Sequence, residues 1–545
     1  MVTGTDAATA DEGVTSGRSG RSVGLTLLAG AVAVLVLLPL TWLFIASNRI
    51  GFASGLEIVT QPRTIQVVVN SIVMMTAVTA ISILIGVPLA YLTVRTDLPL
   101  RRPLTVLLAL PLVVPSYIGA ITFVSAFGPR GEFQELLAPL GVEQLPSIYG
   151  LTGTVMIITL YTYPYVFLTT RAALKSIDTT LFDAARTLRH DRWEAFKRVT
   201  VPQIKPAVAA GALLVALYAL SDFGTPQIMR YDVFTRVIYV EFHSFGNGPD
   251  MAALLSLKLV VLTVFILAIE SRVRGGDNIG TEGGYVGGSD PSLHLGKWRW
   301  PAALACLALP ALSLAVPVGI LRMWLVRGTG TGAYNIDLVS MSLNSVGVSG
   351  AAALLATLFA LPVAYVAAHR SSRLTSVVEQ ATYVGYAVPG VVIGLALVFL
   401  GAQYGGVLYR QGLLAFPLLI FAYVVRFIPQ AVGSTRAGFL QVSRSLPEAA
   451  RTLGQSPGQA FRSVTLPLVA PSLLAGAALV FLTTMKELPA TLLLRPPGFN
   501  TLVTAVWRAE RSAEFGLAAI PAIVLLVVSG LSMFVLLKVE GYDVE

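Results

Sequence analysis

Two carboxylates stand where carboxylates are costly. Asp222 follows the apolar run AGALLVALYALS and Glu487 follows AGAALVFLTTMK. The two runs align at an offset of 265 residues. Each acid then falls about 16 residues into its span, roughly 24 Å along a helix that rises 1.5 Å per residue. An ionisable side chain inside a membrane is a functional hypothesis by default, because losing its hydration must be offset by a partner or by trapped water. Two such acids, related by an internal repeat, could face each other across a pathway and favour a cation. The competing reading puts both at the outer water boundary, with Asp222 opening a loop and Glu487 paired with Lys486. Arg426 lies inside another apolar run, AYVVRFIP, where it either pairs with an acid or snorkels. The YTYPY cluster from Tyr161 to Tyr165 either lines a path or sits at an interface, where tyrosines are common.

Covalent chemistry is not indicated. The four histidines, His190, His243, His294 and His369, are scattered in loops or at helix ends. The one cysteine, Cys306, sits in an apolar run and reads as a small core or lipid-facing residue, which also excludes a disulfide scaffold. A phosphate loop is absent: before Gly296-Lys297 the required first glycine is Pro291, and no Ser or Thr follows the lysine.

The elements that must position these residues are membrane spans. The chain of 545 residues is 55% hydrophobic and 12% charged, against about 25% charged in an average soluble domain. Twelve runs reach the roughly 20 apolar residues that a helix needs to cross the hydrocarbon core. They lie near 23–46, 65–94, 103–127, 148–171, 206–223 and 251–271, then 300–321, 344–368, 377–402, 411–433, 471–488 and 516–538. The fold expected is all-α and polytopic. Residues 1–22 read as a disordered polar tail, 23–271 as one half, 272–299 as a Gly-rich linker, and 300–545 as a second half.

The net charge of +9 is accounted for by topology, so no nucleic-acid partner is needed. Basic residues cluster in alternate loops, for instance Arg186, Arg189, Arg192, Lys197 and Arg198, or Arg436, Arg444, Arg451 and Arg462. That pattern places both termini in the cytoplasm.

The halves repeat each other. Asn70-Ser71, Pro88 and Pro115 recur as Asn344-Ser345, Pro362 and Pro389 at an offset of 274; Pro164, Pro202 and Gly211 recur as Pro429, Pro467 and Gly476 at 265. A constant offset with one length change is the mark of a tandem duplication. Even helix numbers per half make the repeats parallel, related by an axis along the membrane normal with a pathway between them.

Each half also carries a polar interruption, LFDAARTLRHDRWEAFKRVTVP and LPEAARTLGQSPGQAFRSVTLP. In the second, Ser445 with Glu448 and Ser456 with Gln459 are spaced as capping boxes, Gly454 supplies a left-handed turn, and Pro467 is expected to stop the second short helix. In the first, Thr180 pairs with Asp183 and Asp191 with Glu194, and Arg189 replaces the glycine. Physics alone leaves two readings: an interfacial helix resting on lipid headgroups, or a rigid knob that docks on a cytoplasmic partner.

This stretch resembles the EAA motif of ABC importer permeases. Glu448-Ala449-Ala450, Gly454 and Val464-Thr465-Leu466-Pro467 match its pattern; the first copy matches as Asp183-Ala184-Ala185 and Val199-Thr200-Val201-Pro202 without the glycine. The resemblance implies that both knobs are coupling helices seated on a separate ABC ATPase homodimer. ATP and Mg would then be bound by that partner and no cofactor by this chain. It also implies an extracytoplasmic substrate-binding protein that docks on external loops near 128–147, 224–250 and 491–515. The segments SDFGTP and KELPATLLLRPPGFNTL are similar to those of the fused-half ferric iron permeases. Thiamine permeases share the fused design and polyamine permeases the broad fold, so those substrates stay open. A secondary transporter, the rival of a different class, would require coupling-ion sites near the midplane.

Overall fold

The computed structural model describes residues 12–48, 57–58, 60–129, 131–141, 145–177, 194, 196–246, 248–274, 293–327, 337–370, 372–512 and 514–539. Among these, ten helices are long and apolar enough to cross a membrane, and two further pairs of helices would each make one span if counted together. The fold is all-α.

Those two pairs correct the expectation of straight spans at 103–127 and 377–402. Helix Arg101–Ala109 and its short extension to Val113 meet helix Ser116–Phe127 at a bend of 93°, and Arg373–Ala387 meets Gly390–Tyr404 at 99°. Pro115 and Pro389 stand at the breaks in extended conformation, as the N-caps of the second limbs. A proline lacks the amide a continuing helix needs, and it disfavours helical backbone in the residue before it.

Three long helices form the centre of each half: Pro62–Arg95, Leu151–Ser176 and Val201–Ser221 in the first, Leu338–His369, Ala415–Gln441 and Leu466–Met485 in the second. They cross at small residues. A Cβ on Gly211 would strike the backbone of Val166, and one on Gly476 would press on the backbone of Ala431, the position equivalent to Val166. The repeat in sequence is therefore a repeat in packing.

The first helix of each half crosses to the other half. Helix Glu12–Asn48 packs mainly on Leu338–His369, Arg373–Ala387 and Gly390–Tyr404, and also on Gly248–Arg274 of its own half, while Arg299–Arg327 packs on Arg101–Ala109 and Ser116–Phe127, and also on the final helix of its own half, Phe515–Val539. The first helix begins at Glu12, so half of the tail expected to be disordered is helical. The linker's last residues are pinned to the first half, with Leu293 N–H donating to Arg95 O (3.1 Å) and Leu295 N–H to Asp97 Oδ1 (2.7 Å).

The segments after each acid, expected as open external loops, instead fold into short helices: Gly224–Ile228 and Phe234–Phe242, then Pro489–Leu494 and Leu502–Arg511. Phe223, Thr225, Met229, Phe234, Leu502 and Trp507 are buried. The repeated Asn-Ser pair holds them. Asn70 Nδ2 donates to Asp232 O (2.9 Å) and Ser71 Oγ accepts from Phe234 N–H (3.1 Å). Asn344 donates likewise to Asn500 O (2.9 Å) and Ser345 accepts from Leu502 N–H (2.8 Å). Amides that a loop would leave to water are thus satisfied inside the protein.

Candidate functional site: a cavity between the halves and a polar knob

Asp222 ends the helix Val201–Ser221, and its own amide closes the last turn on Tyr218 O (2.8 Å). Glu487 follows Leu466–Met485 in the matching place, with its amide on Thr484 O (3.0 Å). Both line one cavity of about 110 Å³, together with Ser116, Tyr165, Tyr218, Tyr386, Arg426 and Lys486. That space holds several waters. The two helix breaks meet there: Pro115, Ser116 and Tyr117 line it directly, and Gly390 abuts Arg426 and Glu487. Each acid therefore sits at the N-terminal end of a second limb, where unsatisfied amides favour negative charge. Discontinuous helices of this kind are how membrane transporters build sites without exposing backbone to lipid.

The two acids are surrounded differently. Glu487 Oε1 lies 3.4 Å from Arg426 Nη1, an ion pair that is almost fully buried. The separation exceeds a hydrogen bond, and Nη1 makes none. Oε1 also accepts from Ala490 N–H at 3.3 Å. Lys486 does not pair with Glu487; its Nζ donates to Leu112 O at 2.7 Å. Among the described residues, Asp222 forms no ion pair with a cation. The hydroxyls of Ser116 and Thr225 and the backbone amides of Gly224 and Thr225 lie beside it, and Tyr218 Oη bonds to Ser116 Oγ (3.2 Å). Its Oδ2 is buried without a hydrogen-bond partner.

The cavity thus brings together Asp222, Glu487 and Arg426 from the sequence reading and leaves out Tyr161. That residue is buried against Gly119, with its hydroxyl on Ser313 O (3.2 Å). Tyr165, one turn further along Leu151–Ser176, takes the lining position. Sequence reasoning missed Ser116, Tyr218 and Tyr386. The signal for two of them was present: Ser116 follows the repeated proline, and Tyr218 lies one helical turn before Asp222.

The second polar interruption is described in full. Helix Ser445–Thr452 is closed by Gly454 at φ 91°, with Gln455 N–H on Ala450 O (3.2 Å) and Gly454 N–H on Arg451 O (3.1 Å). This is the Schellman arrangement, which needs a left-handed residue at that place. Ser456 and Gln459 make the reciprocal capping box, with Pro457 at the first helical position. Two expectations fail. Ser445 does not cap Glu448's helix, because it is already its first residue, and its hydroxyl meets Ser443 Oγ instead. Pro467 does not stop the second helix either. A wide turn over Phe461–Thr465 leads straight into Leu466–Met485, and the proline sits in the first turn where no amide is required. The same wide turn occurs at Phe196–Thr200, and in both halves an aromatic contact braces it: Tyr91 on Phe196 (5.2 Å) and Tyr365 on Phe461 (6.1 Å). Glu448, Ala449, Gly454, Leu446 and Leu453 are exposed, while Ala450 packs inward. Asp183, Ala184, Ala185 and Arg189 of the first copy lie outside the described residues.

The family described as "Binding-protein-dependent transport system inner membrane component" matches residues 82–275 and again 360–540. The chain belongs to that family. The two matches fall on the two halves, and each holds one acid and one polar interruption. The permease is 32% identical to the "Fe(3+)-transport system permease protein FbpB 2" of Haemophilus influenzae over 528 residues, covering 94% of this chain and 98% of the relative. It is 24% identical to the "Ferric transport system permease protein FbpB" of Actinobacillus pleuropneumoniae over 87% of this chain and 71% of the relative. The "Sulfate transport system permease protein CysT" of Escherichia coli matches at 25% over 46% of this chain and 90% of its own length, so the permease has about two of that relative's units.

Proposed function

We propose that this permease carries ferric iron inward through the cavity between its halves, by alternating access driven by a separate ATP-hydrolysing subunit. The observation that carries the reading is the meeting of two acids, two helix breaks and a phenol-bearing wall in one cavity, in a chain that aligns along nearly its whole length with a Fe(3+)-transport permease. The exposed knob at Ser445–Gln459 and its first-half copy around Asp183 are the coupling helices, which dock on a cytoplasmic ABC ATPase homodimer holding ATP and Mg. ATP binding draws the two knobs together, the halves rock, and the cavity opens outward to a loaded extracytoplasmic binding protein. Hydrolysis returns it inward. Such coupling needs an element stiff enough to transmit displacement, and two caps back to back provide it.

With the basic loops inside, both termini face the cytoplasm of a bacterial cell membrane. Parts of 224–250 and 491–515 are withdrawn into the core, so the binding protein meets what remains exposed on that side, such as Phe245.

Arg426 and Lys486 favour a second reading, an oxyanion path. Both cations are committed, however, to Glu487 and to Leu112 O. Uptake of radiolabelled iron into vesicles holding the permease, its ATPase and its binding protein tests the first reading. Iron uptake should require ATP and resist competition by sulfate, thiamine and spermidine. Charge reversal at Glu448 or Asp183 should release the ATPase during purification. Uptake that persists with no ATPase would instead make the chain a secondary transporter.

A further inference from the structure

We propose that Asp222, with the phenols of Tyr165 and Tyr218, forms an all-oxygen transit site for a ferric ion on the first-half wall of the cavity, and that Arg426 withholds the matching acid, Glu487, from the metal. The inference rests on the reading of the permease as a ferric iron importer.

Geometry sets the ligand group. Tyr218 lies one helical turn before Asp222, and its hydroxyl meets Ser116 Oγ (3.2 Å), which itself stands beside the Asp222 carboxyl. The Tyr165 ring is 6.3 Å from that of Tyr218, and both line the cavity. The hydroxyls of Ser116 and Thr225 and the amides of Gly224 and Thr225 surround the Asp222 carboxyl, yet among the described residues none reaches its buried Oδ2 with hydrogen-bond geometry, so that oxygen is left for a further ligand. A buried carboxylate oxygen without a well-placed donor is costly to keep, and a bound cation would offset that cost.

Chemistry sets the ion. Carboxylate and phenolate oxygens are hard donors with no sulfur or imidazole among them, which suits a small, highly charged, oxygen-seeking cation. One carboxylate and two phenolates carry three negative charges, the number a ferric ion neutralises. Each phenol that ligates releases its proton to cavity water; iron stays ferric and no electron moves.

The second-half wall does the reverse. Glu487 is held by Arg426 (3.4 Å), and Lys486 stands next to it on Leu112 O (2.7 Å). These positive groups oppose retention of a trivalent ion, and a transport site must be weak enough to let its cargo leave.

Purified full-length permease in nanodiscs, given ferric nitrilotriacetate, should develop the visible phenolate-to-iron charge-transfer band and retain iron on dialysis. Tyr218→Phe should weaken the band, and Asp222→Asn should lower retention about tenfold, the equivalent of about 1.4 kcal/mol. Tyr163→Phe, which removes a buried hydroxyl outside the cavity, should leave both unchanged. If Asp222→Asn misfolds by gel filtration, Tyr218→Phe decides. A wild-type protein without the band, or a band indifferent to both substitutions, overturns the site even where vesicles take up iron. A normal band in a protein whose complete system imports no iron leaves the site standing and overturns the transport reading.

Discussion

Asp222 and Glu487 occupy matching positions at matching helix ends, each beside the start of a limb that follows a proline break, yet one is surrounded by hydroxyls and the other by an arginine. The duplication has preserved the backbone devices: the break, the acid at the limb's N-terminus, and the Asn-Ser clamp that folds the following segment inward. The side chains around those devices have diverged. Arg426 corresponds to Tyr161, which points away from the cavity, Gly390 corresponds to Ser116, and Lys486 to Ser221. A permease made from two copies of one chain could not do this, because each change would appear on both walls. The fused chain can give one wall to a cation and the other to holding the structure shut.

The sharpest way to break this contrast is to remove the arginine. Arg426→Ala leaves Glu487 buried without its partner and should destabilise the purified permease by about 3–5 kcal/mol. Arg426→Met with Glu487→Leu together should recover most of that loss. Asp222→Asn, which removes a charge that has no cation, should lower the midpoint of thermal unfolding little or raise it. A similar loss in Asp222→Asn and Arg426→Ala would show that the two walls are alike after all.

Gly390 and Ser116 offer a second comparison. A Cβ at Gly390 would collide with Nη1 of Arg426 and Oε1 of Glu487. Gly390→Ala should therefore part the ion pair and cost a large share of what Arg426→Ala costs. Ser116→Gly removes one hydroxyl bonded to Tyr218 and should cost about 1 kcal/mol. Thermal unfolding of the two variants side by side measures the difference.

The knobs differ at one turn. Gly454 has φ 91° and open space around it, so a side chain there would meet only backbone strain. Gly454→Ala should cost about 1–2 kcal/mol locally and reduce ATP hydrolysis in the assembled transporter. Arg189→Gly in the first copy should change hydrolysis less.

A smaller asymmetry lies in the loops that carry the basic residues. Asp97 has Ser371 as its sequence counterpart. The Leu295 amide, together with His294, holds the Asp97 carboxyl below the usual carboxylate range. Because this pKa is depressed in the folded chain, the clamp is fully present above the ordinary carboxylate pKa and is lost only as pH falls through the lower folded value. The protection factor of the Leu295 amide, its exchange rate relative to the intrinsic rate at each pH, should be the same at pH 7 and pH 6, and Asp97→Asn should lower it at both.

Much of this was legible in sequence because duplication doubled each signal. The offsets 274 and 265 located the acids, the Asn-Ser pair and the second-half knob, and composition with the apolar runs set the fold class. What stayed hidden depends on packing across the repeat. Pro115 and Pro389 were visible as repeated prolines, but a proline in an apolar run marks a kink as readily as a right-angled break. The inward folding of 224–242 and 489–511 was masked by their polar turn residues, whose hydrogen-bond partners lie more than a hundred positions away. Tyr161 and Tyr165 share a helix face, and only the neighbouring helices decide which of them reaches the cavity. At Ser445 the spacing of a capping box was present, but the helix begins at the serine itself.

The crossing of the first helix has a consequence in time. Helix Glu12–Asn48 packs on Gly248–Arg274 of its own half but finds most of its packing surface on segments that end at Tyr404, roughly 350 residues later in the chain. At 5–20 residues per second that is a wait of about 18–70 s. During this interval the helix must persist in the bilayer with an unmatched face, and any factor that shields nascent spans would act on this permease chiefly there.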